Sequence, residues 1–181
     1  MLLEAGFGCL NSKRFSGQIC VCQPRRVAAI SVAERVGIEL GAPVMKNIQN
    51  HPNRGNRNGT DAKSLFGSIG YQVRHDSNTI SDECTRVKFC TDGILLRECK
   101  EDLLLTKYSC IVLDEVHERG LNSDLLLGML SRIVPLREKL YHEKKQVMPL
   151  KLIIMSATLN LDDFQETLGF EDMPVIKIET R

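Results

Sequence analysis

The feature that most constrains this chain is a set of short strand-like runs whose apolar residues do not alternate with polar ones: Gln18 to Gln23, Ser109 to Leu113 and Leu150 to Met155. A strand with water on one face alternates, whereas a strand buried on both faces has no reason to. Parallel strands also need a long crossover, usually helical, between them. The intervening segments supply it. Val27 to Leu40 follows Pro24, is apolar over most of its circumference, and closes at Gly41 and Pro43, so it is expected to be packed on several sides. Ile94 to Lys100 reads as a second helix and a leucine-rich stretch from about Ser123 as a third. Ser68 to Arg74 and Arg86 to Thr91 read as further strands, with Val175 to Ile178 as a last short one. The expected class is α/β, a mostly parallel sheet with helices on both faces, as one domain within 181 residues.

One region breaks the pattern. Residues 46 to 64 hold Asn47, Asn50, Asn53, Asn56 and Asn58 among few apolar residues, the composition of a low-complexity surface insertion that cannot bury enough apolar area to order itself. Elsewhere no window approaches the run of about 20 apolar residues that crosses a bilayer, and the start lacks the basic and apolar regions of a signal peptide. Lys and Arg number 24 against 23 Asp and Glu, so net charge gives no global case for nucleic acid and any such partner must be argued locally. Cys20, Cys22, Cys90 and Cys110 lie in apolar stretches and read as small core residues. Cys20 and Cys22 have no matching pair at zinc-finger spacing. His51, His75 and His142 are isolated, and Arg137 to Lys145 reads as a solvent-facing helix end.

Ligand sites of open parallel sheets lie beyond the carboxyl ends of the strands. Asp114 and Glu115 directly follow Ile111-Val112-Leu113, and Ser156-Ala157-Thr158 ends another apolar run. Phosphoryl transfer to water needs one carboxylate to hold a Mg²⁺ through its water shell and another to polarise the attacking water, which adjacent Asp and Glu can divide between them. Alone, the pair would read as a cap on the next helix; His117, Glu118 and Arg119 coming directly after it favour a site.

Four segments in order then carry a resemblance. Gln23 to Val36, Thr91 to Glu98, Asp114-Glu115-Val116-His117-Glu118-Arg119 and Met155-Ser156-Ala157-Thr158-Leu159 resemble motifs Ia, Ib, II and III of the DEAH-box RNA helicases. Gly70-Tyr71-Gln72-Val73-Arg74 fits as well, so the resemblance covers nearly the whole chain except the insertion. Leu130 to Val134, Pro149 to Met155 and Pro174 to Glu179 are most similar to the helicase of small-ribosomal-subunit assembly.

The resemblance implies a RecA-like P-loop NTPase lobe using ATP and Mg²⁺ and acting on RNA. Asp114 would hold Mg²⁺ through water, Glu115 would share that ion and activate the hydrolytic water, and His117 would lie near the γ-phosphate and the partner lobe. Val116 replaces the usual Ala in an apolar slot. Ser156 and Thr158 would hydrogen-bond to the carboxylate motif and couple hydrolysis to RNA movement. Arg25 and Arg26, and Thr91, Asp92 and Gly93, would meet the RNA sugar-phosphate backbone without reading its sequence; a guanidinium fork and helix-start amides suit phosphate oxygens. It also implies a second motor lobe, an activating protein partner and a nuclear, nucleolar location.

No segment satisfies the GxxxxGK[ST] phosphate loop. Lys63-Ser64 is the nearest candidate, but Arg57 and Ala62 occupy its glycine positions. Leu2 to Phe7 resembles the family's segment just downstream of that loop and its helix, so the chain is expected to be a first lobe lacking the phosphate-loop strand and helix, with that central strand's partners left unpaired. A non-catalytic RNA- or protein-binding module with the same fold is the alternative. A metal-dependent hydrolase using Asp114 and Glu115 without nucleotide ranks third.

Overall fold

The computed structural model describes residues 1–8, 15–41, 68–78, 85–158 and 173–178. The 46 to 64 insertion and His51 therefore lie outside the described residues. Within them, β1 (Gln18–Gln23), β2 (Ser68–Val73), β3 (Asp76–Asn78), β4 (Thr85–Thr91), β5 (Tyr108–Leu113) and β6 (Lys151–Ile154) form one sheet. The helices are α1 (Arg26–Glu39), α2 (Asp92–Glu101) and α3 (Leu121–His142), with a 3-10 turn at Val116–Glu118. Strand order is β3-β2-β4-β1-β5-β6, parallel except where β3 turns back antiparallel on β2.

The non-alternating runs are explained by two cores. Cys20 and Cys22 of β1, Cys90 of β4 and Ile111 and Leu113 of β5 face α2 and α3, where Leu95, Leu126, Leu127 and Leu130 cover them. Ile19, Val87, Phe89, Cys110 and Val112 point to the other face with Ala33 of α1, Tyr71 and Phe7. Successive strand residues are thus buried on opposite sides. The cysteines are core residues, and the structure adds a contact the sequence did not offer: Cys20 Sγ and Cys90 Sγ are 3.4 Å apart. Contact with Cys90 and then burial push the Cys20 and Cys22 thiols up, and burial pushes Cys110 to about 11.

Several expectations need correction. Helix α1 is packed on one face, not several: Ala29, Ala33 and Gly37 are buried while Val27 and Ile38 are exposed. Small residues let it lie close on the sheet, and Gly41, just past its end, takes a left-handed φ of 64°. Arg137 is not solvent-facing but fully buried. Its Nε donates to the Met148 carbonyl at 2.8 Å and its Nη atoms to those of Leu104, Leu105 and Tyr108 at 3.2, 2.9 and 3.0 Å. Residues 175–178 form no strand and lie exposed, because no described strand borders them. The six strands hydrogen-bond without a gap, so no missing strand leaves two partners unpaired inside the described sheet; its outer edges are β3 and β6. Gly17, at φ 121°, lies just before β1 against the 107–109 backbone, where a Cβ would come within 2.7 Å of the Lys107 carbonyl.

Candidate functional site

Strand order decides what meets. Because β4, β1, β5 and β6 are consecutive neighbours in the sheet, their carboxyl ends bring Thr91, Gln23, Asp114 and Met155 side by side along one rim. Backbone pairing continues past the strands: Asp114 N–H donates to the Cys22 carbonyl at 3.0 Å, Met155 N–H to that of Leu113 at 2.8 Å, and Val116 N–H to that of Met155 at 3.2 Å. Val116 is 1% exposed within the α3-side core and so anchors the loop that carries the carboxylates.

Both oxygens of Asp114 are held. Oδ1 accepts the Glu115 N–H at 2.9 Å and Oδ2 accepts Gln23 Nε2 at 2.7 Å. Glu115 has φ 53°, a left-handed conformation that costs a non-glycine residue energy and aims its half-exposed side chain away from the helical path. Its Oε2 lies 3.4 Å from His117 Nε2, while His117 Nδ1 accepts the Ala157 N–H at 3.3 Å. The tautomer that satisfies both contacts is neutral with its proton on Nε2. Across the rim, Arg25 reaches Glu118 with Nη2 at 2.9 Å and Nε at 3.4 Å. A cleft of about 310 Å³ lies between, lined by Gln23, Pro24, Arg25, Asp114, Glu115 and Glu118 with Ala28 and Val32.

The expected site residues are not all presented alike. Arg25, Arg26, Gly93 and Thr158 are exposed and Thr91 is half-buried. Asp92 turns inward: its carboxylate accepts the Ser123 hydroxyl on Oδ2 and lies 3.1 Å from Cys22 Sγ, tying α2 to α3 and β1. Its side chain is thus committed to packing. Among the described residues no three His, Cys, Asp or Glu side chains are grouped to hold a metal. Asp114 and Glu115 suit an ion that keeps most of its waters and takes its other ligands from phosphate, which is the habit of Mg²⁺.

No protein-family model matches the chain. It is 47% identical over 99% of its length to the probable ATP-dependent RNA helicase DHR1 of Saccharomyces cerevisiae, and 40% identical over 99% to the probable ATP-dependent RNA helicase DHX37 of Homo sapiens. A bacterial relative, the ATP-dependent RNA helicase HrpA homolog of Haemophilus influenzae, is 39% identical over the whole chain. By sequence the chain matches a segment of DEAH-box RNA helicases. It spans 12% of the yeast protein, 13% of the human one and 11% of the bacterial one.

In a DEAH-box frame, the second and third motifs are joined through backbone groups, the Ala157 amide donating to His117 and the Val116 amide to the Met155 carbonyl. Neither expected hydroxyl joins them: among the described residues Ser156 Oγ is buried without a hydrogen-bond partner, and Thr158 is exposed. Sequence reasoning also left Gln23 and Glu118 without roles. Both sit inside recognised motifs, but their partners lie 91 and 93 residues away and become visible only once β1 is known to adjoin β5.

Proposed function

We propose that the chain supplies the water-activating and part of the RNA-binding surface of an ATP-dependent RNA helicase motor, within a RecA-like first lobe. The observation that carries this is the rim itself. Two carboxylates, one clamped by Gln23 and the other on a strained residue facing His117, share a cleft with the arginine-bearing start of α1. ATP with Mg²⁺ would supply the phosphoryl group and neutralise its charge. Asp114 is oriented by its two donors to hold the ion through water. Glu115 keeps a half-exposed carboxylate able to accept a proton from water, with His117 fixing its direction. Arg25, Arg26, Thr91 and the backbone at Asp92 and Gly93 offer RNA phosphates a sequence-independent seat. The segments around Leu130 and Pro149, and the one from Pro174, favour a role in ribosome assembly and rRNA processing, hence a nucleolar location, with a second lobe and an activating protein as partners.

The test is Glu115→Gln in a chimera where these 181 residues replace the matching stretch of the yeast relative. ATP binding should stay near the parent's while hydrolysis falls by roughly 10²–10⁴, because a lost base removes transition-state and not ground-state stabilisation. Turnover at the parent rate would remove Glu115 from this role, and loss of binding alone would favour a non-catalytic module.

A further inference from the structure

We infer that Glu118 is an internal stand-in for an RNA phosphate: it occupies the Arg25 fork when RNA is absent and must leave it when RNA binds. This rests on the RNA-facing role proposed for Arg25. Two nitrogens of one guanidinium meet the two oxygens of one carboxylate, Nη2 to Oε1 at 2.9 Å and Nε to Oε2 at 3.4 Å, the same fork that fits two phosphate oxygens. The competing anions therefore exclude each other on these nitrogens. The pair is also weak enough to exchange, since the Arg25 side chain is 73% exposed and that of Glu118 30%.

What makes the exchange consequential is where Glu118 is attached. It ends the single turn Val116–Glu118, its N–H donates to the Glu115 carbonyl at 3.0 Å, and left-handed residues at Glu115 and Arg119 bracket it. The turn also carries His117, which is bonded to Ala157. On the other side, Gln23, two residues before Arg25, holds Asp114. The α1 start adds no side-chain cap and no acidic residue in its first turn, and of the three carboxylates that line the cleft with Arg25, Glu118 is the one that contacts its guanidinium among the described residues. A phosphate arriving at Arg25 releases the end of the turn that follows Glu115, without any motion having to cross the core.

The experiment is a low-salt anisotropy titration of labelled single-stranded RNA with the full chain and with Glu118→Gln, Glu118→Asp, Arg25→Ala and the Glu118→Gln/Arg25→Ala pair. Glu118→Gln should bind about twofold to fivefold tighter, the range a released surface ion pair allows, and Arg25→Ala should abolish that gain. Glu118→Asp keeps the charge but is one methylene too short to span the fork, so it should also tighten binding. Unchanged affinity in Glu118→Gln overturns the inference, as does an equal gain in the Arg25→Ala background, which would make Glu118 a general repulsive charge. Failure of the underlying reading looks different: a parent that binds no RNA, or binds it equally after Arg25→Ala, removes the RNA role of Arg25 and the exchange together.

Discussion

The layer under α2 and α3 and the carboxyl rim of the sheet contain many of the same residue types and treat them in opposite ways. Under the helices, charge is buried only when it is fully answered. Arg137 gives its guanidinium to four carbonyls, and Glu98 accepts from Lys88, from Lys107 at 2.8 Å and from the Tyr108 hydroxyl at 2.7 Å. At the rim, groups are left incompletely answered: among the described residues the Ser156 hydroxyl has no partner, and Arg25 is paired in water; Glu115 and Arg119 hold left-handed backbone there, as Leu105 alone does in the clamped layer. Satisfied polar networks rigidify a fold, whereas strain and spare hydrogen-bonding capacity leave a site free to take up ligands and to move. The comparison predicts that substitutions under the helices cost stability and substitutions at the rim cost activity.

The largest effect should come from Arg137→Met. Methionine keeps much of the apolar stem but strands buried carbonyls at Leu105, Tyr108 and their neighbours, each costing about 1–3 kcal/mol when unpaired. A total loss of about 3–5 kcal/mol, read from urea denaturation midpoints, is expected. A loss below about 1 kcal/mol would mean that water reaches these carbonyls and that the layer is no tighter than the rim. Burial lowers the Arg137 pKa to about 10, still far above neutrality, so the clamp remains charged and its effect should not vary between pH 6 and 8.

Glu98 gives the same layer a pH signature. Burial alone would raise its pKa, but donation from Lys107, Lys88 and Tyr108 outweighs that and holds the carboxyl below the usual value of 4.5. A carboxyl with a depressed folded-state pKa contributes its full stability above the unfolded value and loses it as pH falls through the folded one. The parent chain should therefore weaken progressively below about pH 4.5. Glu98→Gln, already weaker at pH 7 because Lys88 stays buried without its counter-charge, should show a flatter acid limb. Denaturation midpoints at pH 7, 5, 4 and 3.5 for both proteins measure this, and parallel acid limbs would assign the acid sensitivity elsewhere.

These contrasts also show what could be read in advance. β1 matched its expected bounds because Ile19 to Cys22 is apolar on both faces, and β5 began one residue before its expected start, at Tyr108, because Ile111 to Leu113 is apolar on both faces as well. β3 could not be read: Asp76, Ser77 and Asn78 have little strand preference and are held by backbone pairing to β2. Residues 175–178 failed in the reverse direction, since β-branched residues promise a strand but only a neighbour makes one. Arg137 was misread because it lies among surface charges in sequence, while its helical phase points it inward. The candidate rim was legible as Asp114 to Arg119 because its chemistry is local. Its links through Gln23, Arg25 and Ala157 depend on strand order, which no short window encodes.

The smallest expected effect is the sharpest test of the contrast. Glu115 carries the cost of its φ of 53° in the folded state, and glycine would relieve a penalty of about 1–2 kcal/mol there. Against that stand the greater freedom of glycine in the unfolded chain, about 0.5–1 kcal/mol, and the loss of one exposed contact with His117. Glu115→Gly should therefore be neutral or up to about 1 kcal/mol more stable than the parent in urea, even as the chimera carrying it loses hydrolysis. A core residue cannot behave this way, because removing its side chain always opens a gap. If Glu115→Gly instead destabilises by about 1 kcal/mol or more, the carboxylate is holding the rim together. The strain at φ 53° would then serve the fold and not the chemistry.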